Sequence, residues 1–334
     1  MVNRDIGFSL WLDFVERDYL KNEFSKLIEN GTINGATSNP SIFASAITTS
    51  PAYKEQLESL AGKSAKEKYE ALAIEDIRTA AQALRSSYSE GNDGYISIEV
   101  DPFLSNDTEG TIAEGKRLFA AIGEPNVMVK VPATEAGYAA MTELLDTGIS
   151  VNATLIFSPK QAQKCLKAMT KGLDSFEADG GGRVDAVISV FVSRFDRLLD
   201  ADLAQEGIDV SRTGIYNAAK IYNLIEKNHT PSIRTLFAST GVKGDELAAD
   251  YYMRELLASR SVNTAPLATI ESFVNSKGLM LKLPIEESEI NGYFIKLADS
   301  GFNMDEIYAS LLKDGLEAFE QAFKEMLESL ESIK

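Results

Sequence analysis

The chain has almost none of the residues that build metal centres and disulfides. Its 334 residues include one cysteine, Cys165, and one histidine, His229. A single cysteine admits no intrachain disulfide, which fits a reducing compartment. With one histidine there is no imidazole set for zinc, so no zinc is expected; an oxygen-only magnesium site stays open because carboxylates are plentiful. No 18 apolar residues run together, so no membrane-spanning helix is expected. Residues 1–16 carry Asp5, Asp13 and Glu16 and no unbroken apolar stretch. They are therefore not expected to be a secretory signal, and a cytoplasmic location follows as an expectation. Positive charge is also scarce: 33 Lys and Arg stand against 50 Asp and Glu, a net charge of −17. Such a surface repels the phosphates of nucleic acids and of anionic membranes, so neither is an expected partner.

What is present is enough for a large core, since 44% of residues are hydrophobic and 25% charged. Short β-branched runs cover residues 9–14 (SLWLDF), 34–38 (NGATS), 95–100 (YISIEV) and 127–132 (VMVKVP). Four more cover 149–157 (ISVNATLIF), 186–192 (AVISVFV), 234–239 (RTLFAS) and 267–273 (LATIESF). Near-continuous runs of this kind mark strands covered on both faces, as in parallel sheets. Helical periodicity falls between them, over residues 69–88, 108–122, 159–176, 211–227 and 245–259, with Ser158-Pro159 as an N-cap and first-turn pair. Eight strands alternating with helices predict a (β/α)₈ TIM barrel. No glycine-rich nucleotide loop follows any strand, and Gly180-Gly181-Gly182 reads as a connection.

Residues 303–334 are expected to form a C-terminal amphipathic helical extension, as one long helix or a kinked pair. Tyr308, Leu311, Leu312, Leu316, Phe319, Phe323, Met326, Leu327 and Leu330 recur at helical spacing, which most simply describes a face packed on the barrel. No linker divides the chain, so residues 1–334 are expected to form one domain. His229 reads as a surface-loop residue, Cys165 as inert packing on a helix, and Trp11 as core.

Lys130 is the most informative position. It lies inside an apolar strand, where lysine is rare unless paired. The pattern leaves two readings open: an edge or snorkelling lysine, or a desolvated amine able to attack a carbonyl carbon. Its place late in a barrel strand favours the second, because barrel active sites sit at the C-terminal face. Asp13 and Glu99 end strands in the same way and can divide acid–base work, or else cap helices and pair with cations. Thr37, Asn39, Asn152, Thr154 and Ser189 interrupt segments that otherwise hold aliphatic residues, together suggesting a polar pocket. Arg194 closes the sixth run, and the seventh leads into Ser239-Thr240-Gly241-Val242-Lys243-Gly244. Loops after the late strands of a barrel commonly hold phosphate.

These segments carry a resemblance. Residues 35–43 (GATSNPSIF) resemble the N-terminal signature of transaldolases, and 127–134 (VMVKVPAT) the segment around their Schiff-base lysine. The similarity continues through 150–158 (SVNATLIFS), 188–194 (ISVFVSR) and 236–241 (LFASTG), nearly the whole chain in order. The resemblance implies a (β/α)₈ barrel that moves a dihydroxyacetone unit from sedoheptulose 7-phosphate to glyceraldehyde 3-phosphate, giving erythrose 4-phosphate and fructose 6-phosphate. It implies no metal and no organic cofactor, phosphorylated sugars as partners, and often a homodimer. By motif, Lys130 would form the imine. Glu99, with Thr154 and a water, would be its acid–base pair, and Asp13 would take the hydroxyl proton. Asn39, Asn152 and Ser189 would hold substrate hydroxyls, and Arg194 with Ser239 the phosphate. Some family members carry an arginine just after the Ala-Ser of the seventh segment. Here Gly241 and Lys243 follow, so Lys243 is the candidate for the second phosphate contact. The shorter fructose 6-phosphate aldolases of the same family carry tyrosine where this chain has Phe191, and no carboxylate like Glu99. Both features turn the expectation toward the transferase.

Overall fold

The computed structural model describes residues 4–332; Ile333 and Lys334 of the expected C-terminal extension lie outside the described residues. Eight parallel strands close a barrel in sequence order. They are β1 (Ser9–Asp13), β2 (Gly35–Thr37), β3 (Tyr95–Glu99), β4 (Val127–Pro132), β5 (Ser150–Ile156), β6 (Ala186–Phe191), β7 (Ile233–Ala238) and β8 (Ser261–Ala265). The larger helices outside it are α1 (Pro40–Thr49), α2 (Ala65–Ala83), α3 (Thr108–Ile122), α4 (Glu135–Asp146), α5 (Pro159–Ala178), α6 (Ser193–Gln205), α7 (Thr213–Lys227), α8 (Leu267–Asn275), α9 (Glu287–Asp299) and α10 (Met304–Ser332). This is the expected TIM barrel with additional C-terminal helices.

Alternation along the strands divides the core in two. Leu10, Leu12, Val129, Val131, Val151 and Ile188 pack outward against helices. Trp11, Tyr95, Met128, Val187, Leu236 and Val262 cluster inside the barrel. Trp11 is fully buried there, and its volume dictates a glycine on the neighbouring strand. A Cβ on Gly35 would stand 2.5 Å from the indole Cδ1. Polar side chains close the lower end: the Trp11 indole N–H donates to Asp93 (2.9 Å), Arg234 pairs with Asp93 (2.6 Å), and the Tyr95 hydroxyl donates to Asp185 (2.7 Å). The open end is therefore the C-terminal one.

Two expected elements are corrected. Residues 267–273, read as the eighth strand, form helix α8; Pro266 precedes it, and Ile270 and Phe273 bury one helical face. The true eighth strand, SVNTA, has a single branched aliphatic residue and four small or polar ones, so it lacks an apolar-run signature. The second correction concerns residues 245–259, of which only Tyr251–Glu255 are helical. Residues 243–249 have no buried face, and an amphipathic helix without a buried face loses its main stabilisation. The C-terminal segment is one 29-residue helix, α10, with Leu311, Gly315, Phe319, Phe323, Met326 and Leu330 buried along it. His229 is exposed in a loop and Cys165 is fully buried on α5, where burial pushes its thiol up. No helix among the described residues is long and apolar enough to cross a membrane.

Candidate active site

Strand register sets the floor of the pocket. Glu99 on β3 lies beside Lys130 on β4, Lys130 beside Asn152 on β5, and Pro132 beside Thr154. Asp13 on β1 lies beside Thr37 on β2. Parallel strands hold such partners about 5 Å apart, so side chains at one level converge inside the barrel. A cavity of ≈ 420 Å³ opens above them, lined by Asp13, Thr37, Asn39, Lys130, Asn152, Thr154, Ser189, Phe191, Arg194, Ser239 and Lys243. Eleven of the twelve expected residues thus face one pocket. The twelfth, Glu99, sits against Lys130.

The lysine is held at two points. Its Nζ donates to the carbonyl of Ser38 (3.1 Å) and lies 3.3 Å from Glu99 Oε2, with both side chains about 95% buried. Burial raises the Glu99 carboxyl to about 7, an effect that the Lys130 charge opposes and Asp13 reinforces. An acid poised near neutrality can both give and take a proton. Thr154 Oγ1 is buried with no hydrogen-bond partner among the described residues, and Glu99 Oε2 has only the ion-pair contact with Lys130. Asp13 is also raised by burial, against the pull of Lys130 and of the Thr37 hydroxyl, which donates to it at 2.7 Å.

Around this centre the polar residues form relays. The Ser189 hydroxyl donates to Asn152 Oδ1 (2.6 Å), and Asn152 Nδ2 donates to Ser97 (3.0 Å), which fixes the amide orientation. Asn39 Oδ1 accepts the Ile42 N–H (3.0 Å) and so caps α1, leaving its Nδ2 group as the donor it can offer the pocket. Strand β5 carries a register shift between Ala153 and Ile156, with Leu155 at φ 56°, a strained left-handed conformation for a γ-branched residue. The bulge lets Thr154 face the pocket while Leu155 packs beneath α10.

The far end is cationic. Arg194 lies in the first turn of α6 and stacks over the Phe191 ring at 5.1 Å. Its guanidinium is shifted down, first by burial and then by Arg197, while Asp314 on α10 counters the shift. Two guanidinium groups one turn apart at a helix N-terminus repel each other until an anion lies between them. Ser239 at φ 55° directly follows β7, its hydroxyl 3.1 Å from that of Ser193, and the Ser193 N–H donates to the Ser239 carbonyl (3.0 Å). Lys243 reaches the rim from an exposed loop.

Sequence reasoning missed Ser41, Arg197, Thr264 and Phe319, which also line the cavity. Arg197 was legible in principle, being one helical turn from Arg194. Thr264 was hidden with β8; it shares a 2.7 Å contact with the Thr37 hydroxyl. Phe319 had no local signal, because it lies in a stripe that reads as ordinary core. Among the described residues, no group of three or more His, Cys, Asp or Glu side chains could hold a metal ion.

Fold and site together define a (β/α)₈ barrel enzyme with a lysine–carboxylate centre at one end of its pocket and a cationic end opposite. The chain belongs to the transaldolase/fructose-6-phosphate aldolase family, whose model matches residues 10–330. It is 48% identical over 332 residues to a transaldolase of Campylobacter jejuni subsp. jejuni serotype O:23/36 (strain 81-176), covering 97% of this chain and 99% of that one. A transaldolase of Helicobacter pylori (strain ATCC 700392 / 26695) is 44% identical over 323 residues, covering 96% and 99%.

Proposed function

We propose that the protein is a transaldolase, transferring a dihydroxyacetone unit between sugar phosphates through an imine on Lys130. The observation that carries this reading is the buried Lys130–Glu99 pair facing a pocket whose opposite end holds Arg194 and Arg197. Neutral Lys130 attacks the ketose carbonyl, and the resulting carbinolamine loses water when an acid protonates its hydroxyl. Glu99 supplies that proton through a water bridging it to Thr154, whose buried hydroxyl has no hydrogen-bond partner among the described residues. The iminium then withdraws the electron pair as Asp13 takes the proton of the C4 hydroxyl and the C3–C4 bond breaks. The aldose leaves and the retained triose is an enamine, which attacks the acceptor aldehyde as Asp13 returns its proton. Water then adds to the new iminium, and the carbinolamine collapses to free the product ketose and the Lys130 amine. Asn39, Asn152 and Ser189 align substrate hydroxyls, while Arg194, Ser239 and Lys243, joined by Arg197, hold the phosphate. Phe191 stands where the shorter aldolases of the family carry a tyrosine, which supports transfer over release. The same proposal includes one domain over residues 1–334, a cytoplasmic location and a homodimer. The acid-rich composition supports the absence of nucleic-acid partners.

Borohydride reduction in the presence of fructose 6-phosphate is expected to add a reduced triose to the peptide bearing Lys130. In the coupled assay, fructose 6-phosphate consumption is expected to require erythrose 4-phosphate. Lys130→Met is expected to fold normally and to lose both signals. Failure to find the adduct at Lys130, or donor consumption releasing free dihydroxyacetone without an acceptor, would overturn the reading.

A further inference from the structure

The C-terminal helix places one residue at the reacting nitrogen. Helix α10 crosses the mouth of the barrel and is fastened at several points along its length. The Tyr308 hydroxyl donates to Asn217 (3.0 Å), Phe323 packs edge-on against Tyr69 (5.2 Å), and the Leu330 carbonyl accepts from Lys68 (3.1 Å). Between these fastenings Phe319 turns into the pocket, 7% exposed, and the Lys130 Nζ lies over its ring, 5.8 Å from the centroid. That distance is within cation–π range, and the low exposure strengthens the attraction.

We propose that Phe319 stabilises the cationic imine on Lys130 relative to the neutral carbinolamine that precedes it. This rests on the imine reading given above and deepens it. Imine formation converts amine, ketone and one proton, delivered by Glu99, into iminium and water through a neutral carbinolamine. The nitrogen stays attached to the Lys130 side chain, so the ring faces it throughout. Its quadrupole attracts the iminium and has no comparable attraction for the neutral carbinolamine, so the ring favours loss of water. An aliphatic residue of similar bulk would exclude solvent equally well and supply none of this charge discrimination.

The test separates charge stabilisation from mere packing. Phenylalanine at 319 is replaced by mono-, di- and trifluorophenylalanine, which keep the ring and weaken its quadrupole stepwise; F319L and F319W are measured alongside. The expected result is a stepwise fall in kcat and in the borohydride-trapped fraction, reaching on the order of tenfold for the trifluoro ring. F319W is expected to retain trapping better than F319L. Unchanged kcat and trapping across the fluorinated series would overturn the proposal and reduce Phe319 to a plug, even if F319L were poorly folded. Absence of trapping in the unaltered protein would instead overturn the imine reading itself.

Discussion

Charge placed where solvent is excluded does most of the work at the scale of single residues. Lys130 was legible because a lysine inside VMVKVP contradicts its surroundings, and Glu99 and Asp13 because they end apolar strands. Phe319 was not, since one ring in an apolar stripe is common anywhere, and Arg197 was legible only through its one-turn spacing from Arg194. Glu99 yields a two-part prediction. Its folded pKa of about 7 lies above the ordinary 4.5, so the fold favours the protonated acid by roughly 3 kcal/mol, and the ion pair with Lys130 does not fully offset desolvation. A raised acid withdraws stability as pH climbs from about 4.5 to about 7. Glu99→Gln, which resembles the protonated form, is therefore expected to unfold at higher denaturant than the parent at pH 8, the gap shrinking toward pH 5. Its kcat is expected to fall by roughly 10²- to 10⁴-fold through loss of the proton donor and acceptor. Chemical denaturation at both pH values and steady-state turnover check the two halves; a variant less stable than the parent at pH 8 contradicts the first.

Elements were legible wherever their burial matched their periodicity. Strands β3, β4, β5 and β6 fall within a residue of their apolar runs, because both faces are covered and the sequence has no reason to alternate. Strand β8 failed because both of its faces carry polar residues: Thr264 faces the cavity, and Asn263, on the opposite face, accepts from Thr240 at 2.8 Å. Helix α10 was readable as amphipathic, yet nothing local says that its apolar stripe roofs a pocket. Gly315 marks the closest approach. A Cβ there would meet Leu155 at 3.0 Å and the Arg194 guanidinium at 3.4 Å. Gly315→Val adds two further methyl groups at this contact and is expected to lift α10, displacing Arg194 and Phe319 together. The expected signature is a KM for fructose 6-phosphate raised roughly tenfold with a smaller loss in kcat, alongside about 1–3 kcal/mol of overpacking cost. Unchanged KM in a folded Gly315→Val protein would show that the helix does not set the pocket roof.

For the whole molecule, the net charge of −17 and the buried carboxylates act on stability in the same direction but through different physics. Self-repulsion among surface acids grows as they ionise and is screened by salt. Buried Asp196 is not screened in this way. Its carboxylate accepts the Gly214 N–H (2.9 Å) at the start of α7, and burial, with Asp200 nearby, pushes it up to about 7 despite help from that N–H and the Tyr252 hydroxyl. Glu99 behaves alike, whereas Glu16, Glu67 and Glu287 are lowered and contribute stability that is lost only as pH falls below their ordinary range. Between about pH 4.5 and 7 the raised acids, Asp13 with Glu99 and Asp196, dominate, so the protein is expected to melt at lower temperature at pH 8 than at pH 5.5, even in about 0.5 M salt where surface repulsion is largely screened. Asp196→Asn keeps the acceptor for Gly214 and cannot ionise. In the same salt its Tm is expected to exceed the parent's by a few degrees at pH 8, with the difference closing toward pH 5.5. Calorimetry at the two pH values decides the matter: a parent Tm that is flat in high salt would assign the pH dependence to the −17 surface, and a difference that closes would assign it to the interior.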